Sequence, residues 1–191
     1  MLQDKVVVVC GVGRGLGRAI ALQSARAGAD LVLAARTAPF LDEVAAEVKA
    51  LGRQAVTALT DITDDDQARR LPQVALETFG RVDALVNNAF AIPPITNLSD
   101  VDLDAVRAGV ETNVVGALRV TRQFIPALAE ARGSVVMINS MVVRHSRLTF
   151  GPYKMAKAAL LAMAQSLATS APRRNDRFTF RPSGVRSASR A

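Results

Sequence analysis

The sequence predicts a doubly wound α/β fold, a parallel sheet with helices on both faces in three layers. Three observations predict it. Short apolar runs alternate five times with segments of helical period over the first 170 residues. Runs such as Val6 to Val9 and Val135 to Ile138 are apolar at consecutive positions, as a strand covered on both faces requires. A glycine-rich stretch, CGVGRGLG (10–17), closes the first run and opens the first helical segment, the place where such folds turn from strand to helix.

Taken in order, KVVVVCG (5–11) is the first strand, and helical period follows over 15–28. DLVLAAR (30–36) precedes a helix at 40–51, and QAVTALTD (54–61) precedes one at 64–79. VDALVNNA (82–89) leads into a long helical segment, 100–131, and GSVVMINS (133–140) into a last helix at 152–170. Right-handed crossovers then place the helices on both sides of the sheet.

A chain of 191 residues is expected to bury one core, with a body over 1–170 and a basic tail over 171–191. Cys10 is the only cysteine, so disulfides play no part and the expected compartment is the cytoplasm. No run reaches the roughly 20 apolar residues that span a bilayer, and MLQDKVVVVC lacks the layout of a cleaved signal, so no membrane partner is expected. The net charge of +7 is mostly a tail property: residues 171–191 carry six arginines and one aspartate. The body has no basic groove interleaved with aromatics, which argues against nucleic acid as a partner. No metal site is expected.

The glycine spacing is Gly11-x-x-x-Gly15-x-Gly17, with Leu16 between the last two. A tight strand-to-helix turn wants glycines for backbone reasons alone. The same place is where backbone amides and a helix's positive end can hold a pyrophosphate. The second strand ends Ala34-Ala35-Arg36-Thr37 without a carboxylate for ribose hydroxyls. Arg36, and Arg14 from the other side, could instead pair with a 2′-phosphate, or both could be solvated surface residues. The cofactor expectation is NADP(H) over NAD(H).

GPYKMAK (151–157) holds the only tyrosine. With Pro152 at a helix start, Tyr153 and Lys157 lie one turn apart on one face. A nearby ammonium and the helix's positive end both favour phenolate, which makes such a pair a proton donor and acceptor. Alone, Tyr-x-x-x-Lys is usually just an amphipathic helix start. Two further residues give it context: Ser140 closes the fifth strand at the sheet's carboxyl edge, and Asn113 is a middling helix former inside a helical segment.

These residues resemble the short-chain dehydrogenase/reductase family, in its main subfamily of about 250 residues with a Rossmann-type sheet. The resemblance rests on CGVGRGLG, Asp61 in LTDIT, NNA at 87–89, Asn113, Ser140 and YKMAK at 153–157. It implies an oxidoreductase that moves a hydride between NADP(H) and a small carbonyl compound or secondary alcohol. Tyr153 would be its general acid and base, Ser140 would polarise the substrate oxygen, and Asn113 would hold a water in a proton relay. Lys157 would favour the phenolate and bind the nicotinamide ribose. Asp61 and Ile62 would contact adenine, Asn87 and Ala89 would line the cofactor, and a dimer or tetramer would form on the long helices.

The sequence departs from the family at several points. Cys10 replaces a threonine. Phe90 replaces the glycine of Asn-Asn-Ala-Gly, where its side chain would stand near the cofactor or the substrate mouth, followed by the apolar loop AIPPI (91–95). His145, the only histidine, reads as a solvated loop residue more readily than as a substrate contact. After residue 170 the composition changes abruptly to Arg and Ser, with no Leu or Ile. Either RFTFR (177–181) makes a substitute strand with Pro182-Ser183-Gly184 in place of the family's Pro-Gly loop, or the reading frame is altered there; the composition favours the second. Without further strands, the fifth strand would have an exposed apolar edge and the site no lid.

Overall fold

The structure, a computed structural model, describes residues 1–145, 148–170 and the backbone of 179–182. It contains one six-stranded sheet in the order β3-β2-β1-β4-β5-β6. The strands are β1 (Val6–Cys10), β2 (Asp30–Ala35), β3 (Ala55–Leu59), β4 (Ala84–Asn87), β5 (Ser134–Met137) and β6 (Thr179–Pro182). Every neighbouring pair is parallel, with Val8 opposite Val32 on one side and Leu85 on the other. The direction of winding reverses between β1 and β4, so their carboxyl ends open a crevice.

The helices are α1 (Leu16–Arg26), α2 (Ala38–Ala50), α3 (Asp65–Phe79), α4 (Leu103–Val110), α5 (Ala117–Ala131) and α6 (Gly151–Ser170). Side chains alternate along each strand and feed two cores. Val7, Val9, Leu31 and Leu33 pack against Leu22 of α1 and Leu41, Val44 and Val48 of α2. Val8, Leu85, Val135 and Met137 pack against Leu71 of α3, Phe124 and Leu128 of α5 and Leu160 of α6. Each fully buried Leu or Phe contributes about 1.5–3 kcal/mol. Asp64 starts α3 by accepting from the amides of Asp66 and Gln67, while the Gln67 side chain donates back to it at 2.9 Å.

Two segments differ from the expected elements. The helix expected over 100–131 is broken by a π turn, Glu111–Gly116, between α4 and α5. The segment beyond residue 170 supplies β6 over Thr179–Pro182, so a short strand does flank β5, as in the less favoured of the two readings, which put it at 177–181. The rest of the expected tail, with Ser183 and Gly184, lies outside the described residues. Among the described residues, no helix is long and apolar enough to cross a membrane.

Candidate active site

The first turn is built so tightly that two of its glycines have no substitute. Gly11 has φ 98°, and a Cβ there would lie 2.3 Å from the Ala89 nitrogen. At Gly17 a Cβ would lie 2.3 Å from the Gly11 carbonyl oxygen, so α1 can press against the turn only without one. The amides of Gly11 and Val12 both donate to the Ala34 carbonyl, at 2.7 and 3.0 Å. Asn88 Nδ2 donates to the Gly11 carbonyl at 2.7 Å, which ties the end of β4 to the turn. Gly15 caps α1 without a side-chain bond, and the first turn has no acidic residue. The positive end of α1 is thus left for an anion.

A groove of about 370 Å³ runs from this turn along the carboxyl ends of β1, β2 and β4. Of the residues expected to hold a dinucleotide, Gly11, Gly15, Leu16, Gly17, Arg36, Asp61, Ile62 and Ala89 line it. Arg36 is exposed at its rim. The Asp61 carboxyl is held below its usual range chiefly by the Thr63 amide, against the opposing effect of burial, with the Thr63 hydroxyl and the charge of Arg36 adding to it. Arg14 does not line the groove; its guanidinium lies 4.6 Å over the Phe40 ring. Asn87 does not line it either, because its amide is buried and donates to Thr121 at 2.9 Å. Its neighbour Asn88 lines the groove instead. The period-2 alternation of a strand explains the exchange: two consecutive asparagines face opposite sides of the sheet. Cys10 lies at the floor, and burial pushes its thiol up to about 12.

Tyr153 and Lys157 lie beyond Phe90, which lines this groove, and Ser140 follows the carboxyl end of β5. Ser140 caps a short 3₁₀ turn, Met141–Val143, its oxygen accepting from the Val142 amide at 3.2 Å. Asn139 links the two elements, accepting from the Ser140 amide at 2.8 Å and donating to the Lys157 carbonyl at 3.2 Å. Lys157 is 5% exposed, and its ammonium donates to the Ile138 carbonyl at 2.8 Å. Burial pushes its pKa down to about 8. Tyr153 is half-buried between two rings in edge-on contact, Phe90 at 5.2 Å and Phe150 at 6.2 Å between centroids.

Asn113 sits in the π turn, where a wide turn lets a helix aim a side chain that regular geometry would not. Its amide pairs with Ala91 at both ends: the oxygen accepts from the Ala91 nitrogen and the nitrogen donates to the Ala91 oxygen, both at 2.8 Å. It therefore fixes the loop after β4. Arg119 braces the same turn from α5, donating to the Ile62 carbonyl and to Glu111, each at 2.9 Å, and to Asp65. His145 is exposed.

The groove fits a dinucleotide on its own features: an uncapped helix start for the pyrophosphate, a glycine cradle for close backbone approach, and a cation at the end of β2. At the carboxyl end of β5 the Lys157 ammonium is bound to the Ile138 carbonyl and the Lys157 carbonyl to Asn139, the neighbour of Ser140, while Phe90 touches both the Tyr153 phenol ring and the ammonium.

The model of the family described as short chain dehydrogenase matches residues 5–185. An uncharacterized oxidoreductase of Mycobacterium tuberculosis is 41% identical over 161 residues, 83% of this chain and 61% of that protein. The 11-beta-hydroxysteroid dehydrogenase 1A of Arabidopsis thaliana is 33% identical, over 87% of this chain and 48% of its own length. Among solved structures, an NAD+-bound xylitol dehydrogenase is similar with a TM-score of 0.84 at 25% identity, over 88% of this chain and 65% of the other. A carveol dehydrogenase from Mycobacterium avium in complex with NAD is similar with a TM-score of 0.83 at 25% identity, covering 88% and 66%. The chain thus spans about half to two thirds of these relatives' length. With its strand order, its glycine turn and this match over nearly its whole length, the chain belongs to the short-chain dehydrogenase family.

Proposed function

We propose that the chain carries the cofactor and proton-transfer machinery of an NADP(H)-dependent oxidoreductase that interconverts a small carbonyl compound and a secondary alcohol. One observation carries the reading: Tyr153 and Lys157 lie on α6 at the carboxyl end of β5, where the Lys157 ammonium meets the Ile138 carbonyl, and both touch Phe90, the residue at which the glycine-lined groove ends. In the reducing direction Tyr153 donates its phenolic proton to the substrate oxygen, and in oxidation it takes that proton back. The Ser140 hydroxyl donates to the same oxygen and orients it. Lys157 stabilises the phenolate by charge and binds a ribose hydroxyl. The cofactor, when bound, supplies or accepts the hydride at the carbonyl carbon. Gly11, Gly15, Leu16 and Gly17 hold the pyrophosphate, Asp61 and Ile62 the adenine, and Arg36 the 2′-phosphate, with Arg14 nearby. Asn113 keeps the loop after β4 in place. A cytoplasmic dimer or tetramer built on α4 to α6 is part of the same proposal.

A second reading, a nucleotide-binding chain impaired in turnover, is favoured by a specific observation. The groove ends at Phe90, and neither Ser140, Tyr153 nor Lys157 lines it. One experiment separates the two. Tyr153→Phe should abolish NADPH oxidation across a panel of ketones while leaving NADPH affinity within about twofold, since a lost proton donor typically costs about 10²–10⁴ in rate. A variant that reduces ketones at the wild-type rate overturns the phenol's role, and a wild-type chain that binds NADPH without turnover supports the second reading.

A further inference from the structure

The groove and the proton-transfer residues are separated by one side chain. Phe90 lines the groove at the end opposite Arg36 and Asp61. Its ring also meets Tyr153 edge-on, 5.2 Å between centroids with the planes at 79°, and the Lys157 ammonium lies 4.1 Å from its centre. A dinucleotide whose pyrophosphate sits at the α1 start and whose adenine lies toward Asp61 must run its other half toward Phe90. There the ring covers the ammonium that this half is expected to meet.

We propose that Phe90 is a gate at the nicotinamide end of the groove, whose ring must turn away from Lys157 and Tyr153 before a whole dinucleotide can seat. The inference rests on the reading of the groove as a dinucleotide site. The backbone beside the ring is pinned, because Asn113 holds both polar atoms of Ala91, so the movement is a side-chain rotation. An edge-on ring pair and a desolvated cation over a ring together bias the ring toward the closed position by about tenfold or more. That bias weakens the apparent affinity for the whole cofactor by the same factor, since only the open fraction binds it. The adenine half never reaches the ring and escapes the penalty. Phe90 thus sets how strongly the site prefers a whole dinucleotide to its adenylate portion.

Calorimetric titration of the full chain with 2′,5′-ADP and with NADPH, for wild type, Phe90→Ala and Phe90→Gly, tests this. The variants should bind NADPH about tenfold more tightly and 2′,5′-ADP within about twofold of wild type. Phe90→Leu keeps apolar bulk but loses both ring contacts. It should move NADPH in the same direction by less, and it decides the matter if the smaller variants fail to fold. NADPH affinity that is unchanged or weaker in the folded variants overturns the gate, as does a parallel gain for 2′,5′-ADP. If 2′,5′-ADP fails to bind wild type, the reading of the groove falls and the gate with it; if it binds and the ratio stays put, only the gate falls.

Discussion

Arg36 and Lys157 are cations placed for opposite reasons. Arg36 is exposed at the groove rim, where a carboxylate would serve ribose hydroxyls and, on the proposed function, the guanidinium would serve a 2′-phosphate. Replacing it with aspartate should shift preference from NADP(H) toward NAD(H) by at least about tenfold in kcat/KM, one charged hydrogen bond being about 1.5–3 kcal/mol. An unchanged ratio removes Arg36 from cofactor selection. Lys157 is buried, and its depressed pKa is a cost to the fold. Below about pH 8 both folded and unfolded chains carry the proton, so burying the ammonium costs the full amount, up to about 3 kcal/mol. As pH rises from about 8 toward the free lysine's pKa near ~10.4, the folded state loses the proton first and the cost is relieved. Lys157→Met should therefore melt higher than wild type at pH 7, with the gap narrowing between pH 8 and 10 in calorimetric scans. A gap independent of pH means that the ammonium is not what burial penalises. Both residues could be picked from the sequence because each had a reason in its spacing. Asn88 could not, since NNA does not reveal which asparagine faces the crevice until β4 has its register.

The π turn between α4 and α5 does at the level of an element what no regular helix would do there. It sets Asn113 against Ala91 and packs Gly116 on Ile62, where a Cβ would approach the Ile62 side chain to 2.9 Å. Arg119 then ties the turn to the Ile62 carbonyl. One turn thus braces both the loop that carries Phe90 and the loop that carries Asp61. Asn113→Ala should cost about 1–3 kcal/mol in denaturant unfolding, from two lost hydrogen bonds at about 0.5–1.5 each, and should speed hydrogen exchange at the Ala91 amide. If stability and exchange hold while turnover falls, the side chain serves chemistry and not the loop. The sequence shows helical period across 100–131 because the π turn occupies only Glu111–Gly116 and the helices on either side keep the α-helical period. An asparagine at a position that favours alanine or lysine was the only local sign. The five strand–helix units were legible because their apolar runs and periods repeat. The sixth strand was legible only as one of two readings, RFTFR at 177–181, and the composition pointed to the other, because pairing with β5 depends on tertiary placement.

Among the described residues the two sheet faces are unequally covered. Val135 and Met137 of β5 are fully buried beneath the layer of α3, α5 and α6. On the opposite face α1 and α2 serve β1 to β3, and Ala84, Val136 and Ile138 are only partly buried. β5 is therefore an apolar strand whose protection depends on its neighbours in the sheet, β4 on one side and β6 on the other. An edge strand of this composition, stripped of its partner, offers a row of unpaired amides and carbonyls to any other chain. Two parallel ladders instead of one also mean that β5, which delivers Ser140 and the carbonyl that holds Lys157, is fixed from both sides. A chain ended at Ser170 should thus lose on both counts: a lower urea midpoint, and concentration-dependent growth in light scattering at temperatures where the full chain scatters constantly. A shortened chain with the same midpoint and no growth would mean that the pairing of β6 with β5 contributes nothing to the sheet, and that the carboxyl edge of β5 is held by β4 and α6 alone.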